Sequence, residues 1–221
     1  MESLDYVEET HGDNPDAAII WLHGLGADGY DFKPIVKQLN LPADLSIHFV
    51  FPNAPVQAVT INQGMSMNAW YDILELSLEA EEDEAGINSS MLAVEALIQA
   101  KFSHIDPRRI ILAGFSQGGA LSLHTLLHGS VPIGGVIALS TYLPLRQLAP
   151  DANKNRVVGH NIFMAHGTQD EVLPIDIGDL ARGILLALGS KLIWRAYPMA
   201  HQLCDQQILD IRRWIVGKLT C

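Results

Sequence analysis

Short apolar runs alternate along the chain with longer segments in which apolar positions return at helical spacing. The runs are residues 18–23 (AIIWLH), 47–51 (IHFVF), 109–115 (RIILAGF), 135–140 (GVIALS), 162–166 (IFMAH) and 191–197 (KLIWRAY). Most are apolar throughout rather than alternating, which predicts strands covered on both faces. The segments between them predict helices at 32–39, 88–102, 117–128, 176–188 and 205–218. In the second of these, Met91, Val94, Leu97, Ile98 and Phe102 build one apolar face. Strand, helix, strand in repeated succession is an α/β pattern, with a mostly parallel central sheet and helices on both faces. No repeat, low-complexity tract or linker divides the chain, so one domain over 1–221 is expected.

One connection breaks the rhythm. Residues 52–87 join a strand to a helix, where such units ordinarily use about 2–6 residues. Trp70, Tyr71, Leu74, Leu76 and Leu78 lie inside it. A partly ordered cover over the active face is expected.

Composition narrows the class. Apolar residues make up 48% of 221 and charged ones 18%, which excludes a disordered or collagen-like chain. Acidic residues outnumber basic ones 25 to 14, for a formal charge of −11. A surface of that sign repels phosphate backbones, so nucleic acid is not expected as a partner. The two cysteines, Cys204 and Cys221, form no disulfide framework and lack metal-ligand spacing. Residues 1–17 are polar and acidic, unlike a signal peptide. The longest apolar stretches fall far short of the roughly 20 residues that span a bilayer. A soluble, cytoplasmic protein without a membrane segment or metal is expected.

Two glycine motifs compete for the function. Gly24-Leu25-Gly26-Ala27-Asp28-Gly29 reads formally as the dinucleotide-binding G-x-G-x-x-G after a strand. That use requires an acid after the next strand, where this chain has Phe51-Pro52-Asn53. A tight turn offering backbone N–H groups to an oxyanion accounts for the glycines better. The second motif, Gly114-Phe115-Ser116-Gln117-Gly118, is a G-x-S-x-G between a buried strand and a helix. There it makes a nucleophile elbow, a sharp turn that exposes the serine hydroxyl above the sheet.

A serine hydroxyl needs a base to take its proton and an acid to orient that base, in the chain order Ser, acid, His. His201 alone among nine histidines lies beyond the last strand. Asp151, Asp170, Glu171, Asp176 and Asp179 lie between. Asp170 follows its strand by a short HGTQ turn, at the strand end where open α/β sheets gather their sites. The triad is therefore Ser116, Asp170 and His201, with Gln117 and Leu25 as main-chain oxyanion donors. His23 and His166 are expected to hold loops, His124 and His128 to lie on a helix surface, and Cys204 to be a small buried residue at a helix start. No cofactor is implied.

With these residues in place the chain resembles the carboxylesterase and acyl-protein thioesterase family of α/β-hydrolases. HGLGADG, FPNAP, MNAWYD, GFSQGG, HGTQDEVLP and YPMAH occur in that family's order over about residues 17–215. The resemblance implies an α/β-hydrolase fold and cofactor-free hydrolysis of small-molecule esters or acylated substrates through an acyl-enzyme. It also implies that Trp70, Leu74, Leu76 and Leu78 line the acyl site. The family has glycine before the catalytic histidine where this chain has Ala200. A positive φ there would cost alanine about 1 kcal/mol. With no room for a separate cap domain, a shallow groove for short to medium acyl chains is expected. The alternatives with the same chemistry are a lysophospholipase or a protein S-deacylase. The alternative without chemistry is a binding protein on a hydrolase scaffold. A homodimer through the apolar cover is a further expectation.

Overall fold

An unbroken apolar strand is stable only where both of its faces are covered, and the sheet is laid out accordingly. A computed structural model describes residues 4–75, 81–152 and 157–220. The strands are β1 (Tyr6–His11), β2 (Ala17–Leu22), β3 (Ile47–Pro52), β4 (Val56–Val59), β5 (Met65–Asn68), β6 (Ile110–Phe115), β7 (Gly135–Leu139), β8 (Asn161–Gly167) and β9 (Lys191–Tyr197). The helices are α1 (Gly29–Phe32), α2 (Ile35–Gln38), α3 (Glu84–Phe102), α4 (Gln117–His128), α5 (Ile175–Ala187) and α6 (Asp205–Leu219). Seven strands form one sheet in the order β1-β3-β2-β6-β7-β8-β9, while β4 and β5 pair as a separate hairpin. All pairs in the large sheet are parallel except β1 with β3.

Alternate residues of the central strands feed two cores. Ala18, Ile20 and Leu22 of β2 face α3, α4 and α5 on one side. Ala17, Ile19 and Trp21 face α2 and α6 on the other. Every residue of β2 and β7 is buried, whereas β9, at the edge, is exposed or partly exposed through Ala196 and buried only at Tyr197. The opposite edge, β1, has the sequence YVEETH and was not expected from any apolar run, because an edge strand covered on one side needs only every second residue apolar.

The helix expected over 32–39 is two short turns instead. Asp28 caps α1 through a capping box with Asp31, and Pro34 separates α1 from α2. A Cβ at Gly29 would collide with the Phe51 carbonyl, so the last glycine of the G-x-G-x-x-G serves the packing of α1 on β3. Helix α3 starts at Glu84, earlier than expected, where the Asp83 side chain accepts from Gly86 N–H at 2.9 Å. Within the long connection the β4–β5 hairpin leads to the buried pair Trp70 and Tyr71. Among the described residues no helix is long and apolar enough to cross a membrane.

Candidate active site

The turn between β6 and α4 holds Ser116 at φ 53° and ψ −119°, a strained conformation for a residue with a side chain. Its surroundings fix it there. Ser116 N–H donates to Leu139 O at 2.9 Å, and Ser116 O accepts from Thr141 Oγ1 at 2.7 Å. A Cβ at Gly114 would collide with the Gly118 carbonyl, and one at Gly118 with the carbonyls of Leu22 and His23. Both flanking glycines are needed because three backbone segments cross within van der Waals reach.

The loop after β2 lies against this elbow. A Cβ on Gly24 would stand 3.3 Å from the Phe115 ring and 3.5 Å from Ser116 Cβ. His23, 1% exposed, anchors the loop. Its Nε2 accepts from Ala54 N–H at 3.0 Å, so the proton sits on Nδ1, which donates to Gly24 O at 2.7 Å. Burial holds this imidazole below its ordinary pKa and keeps it neutral. Further along, Gly26 N–H donates to Asn68 O at 2.8 Å, tying the loop to β5. Leu25 and Gln117 line the same cavity as Ser116.

Gln117 also has a second role that its place in the elbow motif did not reveal. Its side-chain Oε1 accepts from Trp70 N–H at 3.0 Å, and its Nε2 donates to Tyr71 O at 2.8 Å. One amide thus clips the long connection to the residue after the serine. Gln117→Ala leaves both buried main-chain groups without these partners, at an expected cost of about 2–4 kcal/mol. Chemical unfolding reads this directly, and an unchanged midpoint would rule out the clip.

The candidate acid and base, Asp170 and His201, follow β8 and β9. Asp170 follows β8 and is 6% exposed. Its Oδ1 accepts from Val172 N–H at 3.0 Å and Leu173 N–H at 2.8 Å. Its Oδ2 lies 2.7 Å from His201 Nδ1. An ionised carboxylate only accepts, so Nδ1 carries the proton and Nε2 keeps a lone pair. The Phe115 ring packs on the His201 imidazole at a centroid distance of 4.7 Å. His166, buried at the end of β8, lies 2.8 Å from Leu173 O and 3.5 Å from Asp170 Oδ2 through its Nε2. It holds the 170–173 turn, as expected for a loop-anchoring histidine.

Ala200 does not take a left-handed φ, so alanine is tolerated there without that cost. The glycine that this region requires is Gly167, where a Cβ would collide with the carbonyls of Met199 and Ala200. Gln169 N–H donates to Met199 O at 3.0 Å across the same gap, bringing the loop of His201 onto the turn of Asp170.

Ser116, Gln117, Leu25 and His201 share a cavity of about 370 Å³ whose other walls include Phe32, Ile61, Phe115, Tyr142 and Leu173. A smaller groove adjoins it, lined by Tyr71, Ile73, Leu74 and α5, and also by charged residues that include Asp72, Glu82 and Arg146. Leu74 falls in this groove, and Leu76 and Leu78 lie outside the described residues. Trp70, expected in the acyl site, is 1% exposed and donates its Nε1–H to His23 O at 2.9 Å. It supports the oxyanion loop from beneath because its backbone is clipped by Gln117 and its carbonyl accepts from Ser90 Oγ. Tyr142 is a wall residue that no motif announced, three residues beyond the end of β7, while Leu173 lies in the HGTQDEVLP block without having been singled out.

The remaining histidines depart from expectation in one respect. His124 is 1% exposed rather than on the helix surface, packed between α4 and α3 with its Nε2 3.0 Å from Asn88 Oδ1. Burial, with His128 stacked at 4.7 Å, lowers its pKa to about 4. Cys204 is half-buried at the N-cap of α6, a structural place.

Residues 6–217 match the family described as Phospholipase/Carboxylesterase. The chain is 38% identical over 220 residues to acyl-protein thioesterase 1 of Mycosarcoma maydis, with 92% of each chain covered. It is 32% identical to acyl-protein thioesterase 1 of Cryptococcus neoformans, with 98% of each covered. The crystal structure of Arabidopsis thaliana SOBER1 superposes with a TM-score of 0.85 at 29% identity, over 92% of this chain and 99% of that one.

Proposed function

The chain belongs to the phospholipase/carboxylesterase family of α/β-hydrolases, and from that premise we propose that Ser116, His201 and Asp170 cleave carboxylic esters and thioesters. One observation carries the reading. The buried carboxylate of Asp170 lies 2.7 Å from His201 Nδ1, and His201 lines the cavity that also holds the strained Ser116.

The chemistry follows from that tautomer. His201 Nε2 takes the proton of Ser116 as its hydroxyl oxygen attacks the acyl carbonyl, and Asp170 stabilises the imidazolium. The N–H groups of Leu25 and Gln117 bind the oxyanion, each worth about 3–4 kcal/mol of barrier. The imidazolium then protonates the leaving alcohol or thiol, and water repeats the sequence to release the acid.

A short acyl chain lies within the catalytic cavity, and a longer one extends into the adjoining groove, where Leu74 and Leu173 offer carbon to carbon. The curated relatives, named acyl-protein thioesterases, favour an S-acylated protein as the natural substrate over a lysolipid. The scarcity of cysteine supports a reducing, cytoplasmic compartment. Leu74, Val172 and Leu180, exposed at the groove mouth, favour the pairing of two copies across it. A fluorophosphonate probe followed by peptide mapping tests the nucleophile. Labelling of Ser116 alone is expected, and labelling of another residue on folded protein would reject the assignment.

A further inference from the structure

The catalytic cavity and the adjoining groove meet at a neck. Ile73, Tyr142, Val172 and Leu173 line both spaces, whereas Tyr71 lines the groove alone. At this neck the hydroxyls of Tyr71 and Tyr142 stand 2.7 Å apart. Burial pushes both phenols well above the ordinary tyrosine range, so both are neutral hydroxyls and one donates to the other.

Each tyrosine is fastened to the nucleophile elbow from its own side. Gln117 Nε2 donates to Tyr71 O at 2.8 Å. Thr141, the residue before Tyr142, donates its hydroxyl to Ser116 O at 2.7 Å. The backbones on both sides are therefore held relative to Ser116, and the bridge between the two hydroxyls fixes the remaining freedom, the orientation of the Tyr142 ring. Tyr71 is 2% exposed and has little room to move. Tyr142 is the less buried of the two.

We propose that the Tyr71–Tyr142 bridge is a specificity-determining latch, which holds the Tyr142 ring across the neck and sets the length of acyl chain that reaches Ser116 productively. The inference rests on the hydrolase reading above. With the bridge in place, a short acyl group fits within the catalytic cavity and a longer one must displace the ring to enter the groove. A longer chain therefore bears the cost of breaking a hydrogen bond that a short chain leaves intact.

Tyr71→Phe separates this idea from a change in the cavity wall. Tyr71 lines the groove but not the catalytic cavity, so a direct effect of its hydroxyl on the groove wall would add to the effect of Tyr142, whereas an effect through the bridge would not. The experiment compares kcat/KM for butanoyl and dodecanoyl p-nitrophenyl esters in the parent protein, Tyr71→Phe, Tyr142→Phe and the double variant, with Tm measured on each. The dodecanoyl-to-butanoyl ratio is expected to rise about fivefold in each single variant, mostly through a lower dodecanoyl KM, and no further in the double variant. A general loss of packing would lower both rates together and leave the ratio in place. An unchanged ratio in folded Tyr71→Phe, or effects of the two singles that simply multiply, would overturn the latch. Ser116→Ala is assayed alongside. If it retains turnover, the hydrolase reading fails. If it is inactive while Tyr71→Phe keeps the parent ratio, only the latch fails.

Discussion

Ser116→Ala is expected to lower kcat for ester hydrolysis by about 10⁵–10⁶ while the protein stays folded. The size follows from the reaction, since no acyl-enzyme forms without that oxygen and His201 has no proton to take. What remains is what the oxyanion donors and substrate binding provide without a nucleophile. The fold tolerates the change because the contacts of Ser116 that position the turn are made by its main chain. Its N–H reaches Leu139 and its carbonyl accepts from Thr141. Alanine at φ 53° also carries nearly the strain that serine already bears. An unchanged thermal midpoint with kcat reduced to that residual level is the expected pair of results. More than about one per cent of parental activity, in protein free of contaminating esterase, would remove Ser116 from the role of nucleophile. Absence of turnover in the parent would return the binding-protein alternative.

The parts legible in the sequence are those with a hydrophobic or stereochemical signature. Strands buried on both faces have to be apolar throughout, and β2, β6, β7 and β8 stand where their sequences put them. The elbow was legible because steric exclusion at Gly114 and Gly118 leaves few residue choices. Strand β1 was hidden by its position at the edge, where pairing with β3 is made by backbone groups that every residue has. Trp70 misled for a related reason. An aromatic residue in a long loop suits a binding wall and an internal prop equally well, and only its bonds to Gln117 and His23 separate the two. Ala200 shows the limit of a motif taken one position at a time. The close approach of two segments is solved at Gly167, on the other side of the gap, where a side chain would strike the carbonyls of the His201 loop.

Asp170→Asn is the sharper test of the mechanism, because it preserves shape and changes only which atoms donate. The asparagine oxygen can keep the N–H groups of Val172 and Leu173, now at 3.0 and 2.8 Å from Oδ1, so the turn survives. Its NH₂ then occupies the place of Oδ2, 2.7 Å from His201 Nδ1. A donor there makes Nδ1 an acceptor and moves the imidazole proton to Nε2, the nitrogen that must be free to deprotonate Ser116. The same donor faces His166 Nε2, which lies 3.5 Å from Oδ2 and directs its proton to Leu173 O. Neither neighbour can supply the negative charge that the imidazolium needs. A fall in kcat of about 10⁴ near neutral pH is expected, with far-ultraviolet circular dichroism unchanged. Combined with Ser116→Ala, the variant should cost little beyond the serine change alone, since the two residues act through one proton transfer. Activity within tenfold of the parent would mean that another carboxylate orients His201. Glu171 and Asp176 would then be the residues to replace next.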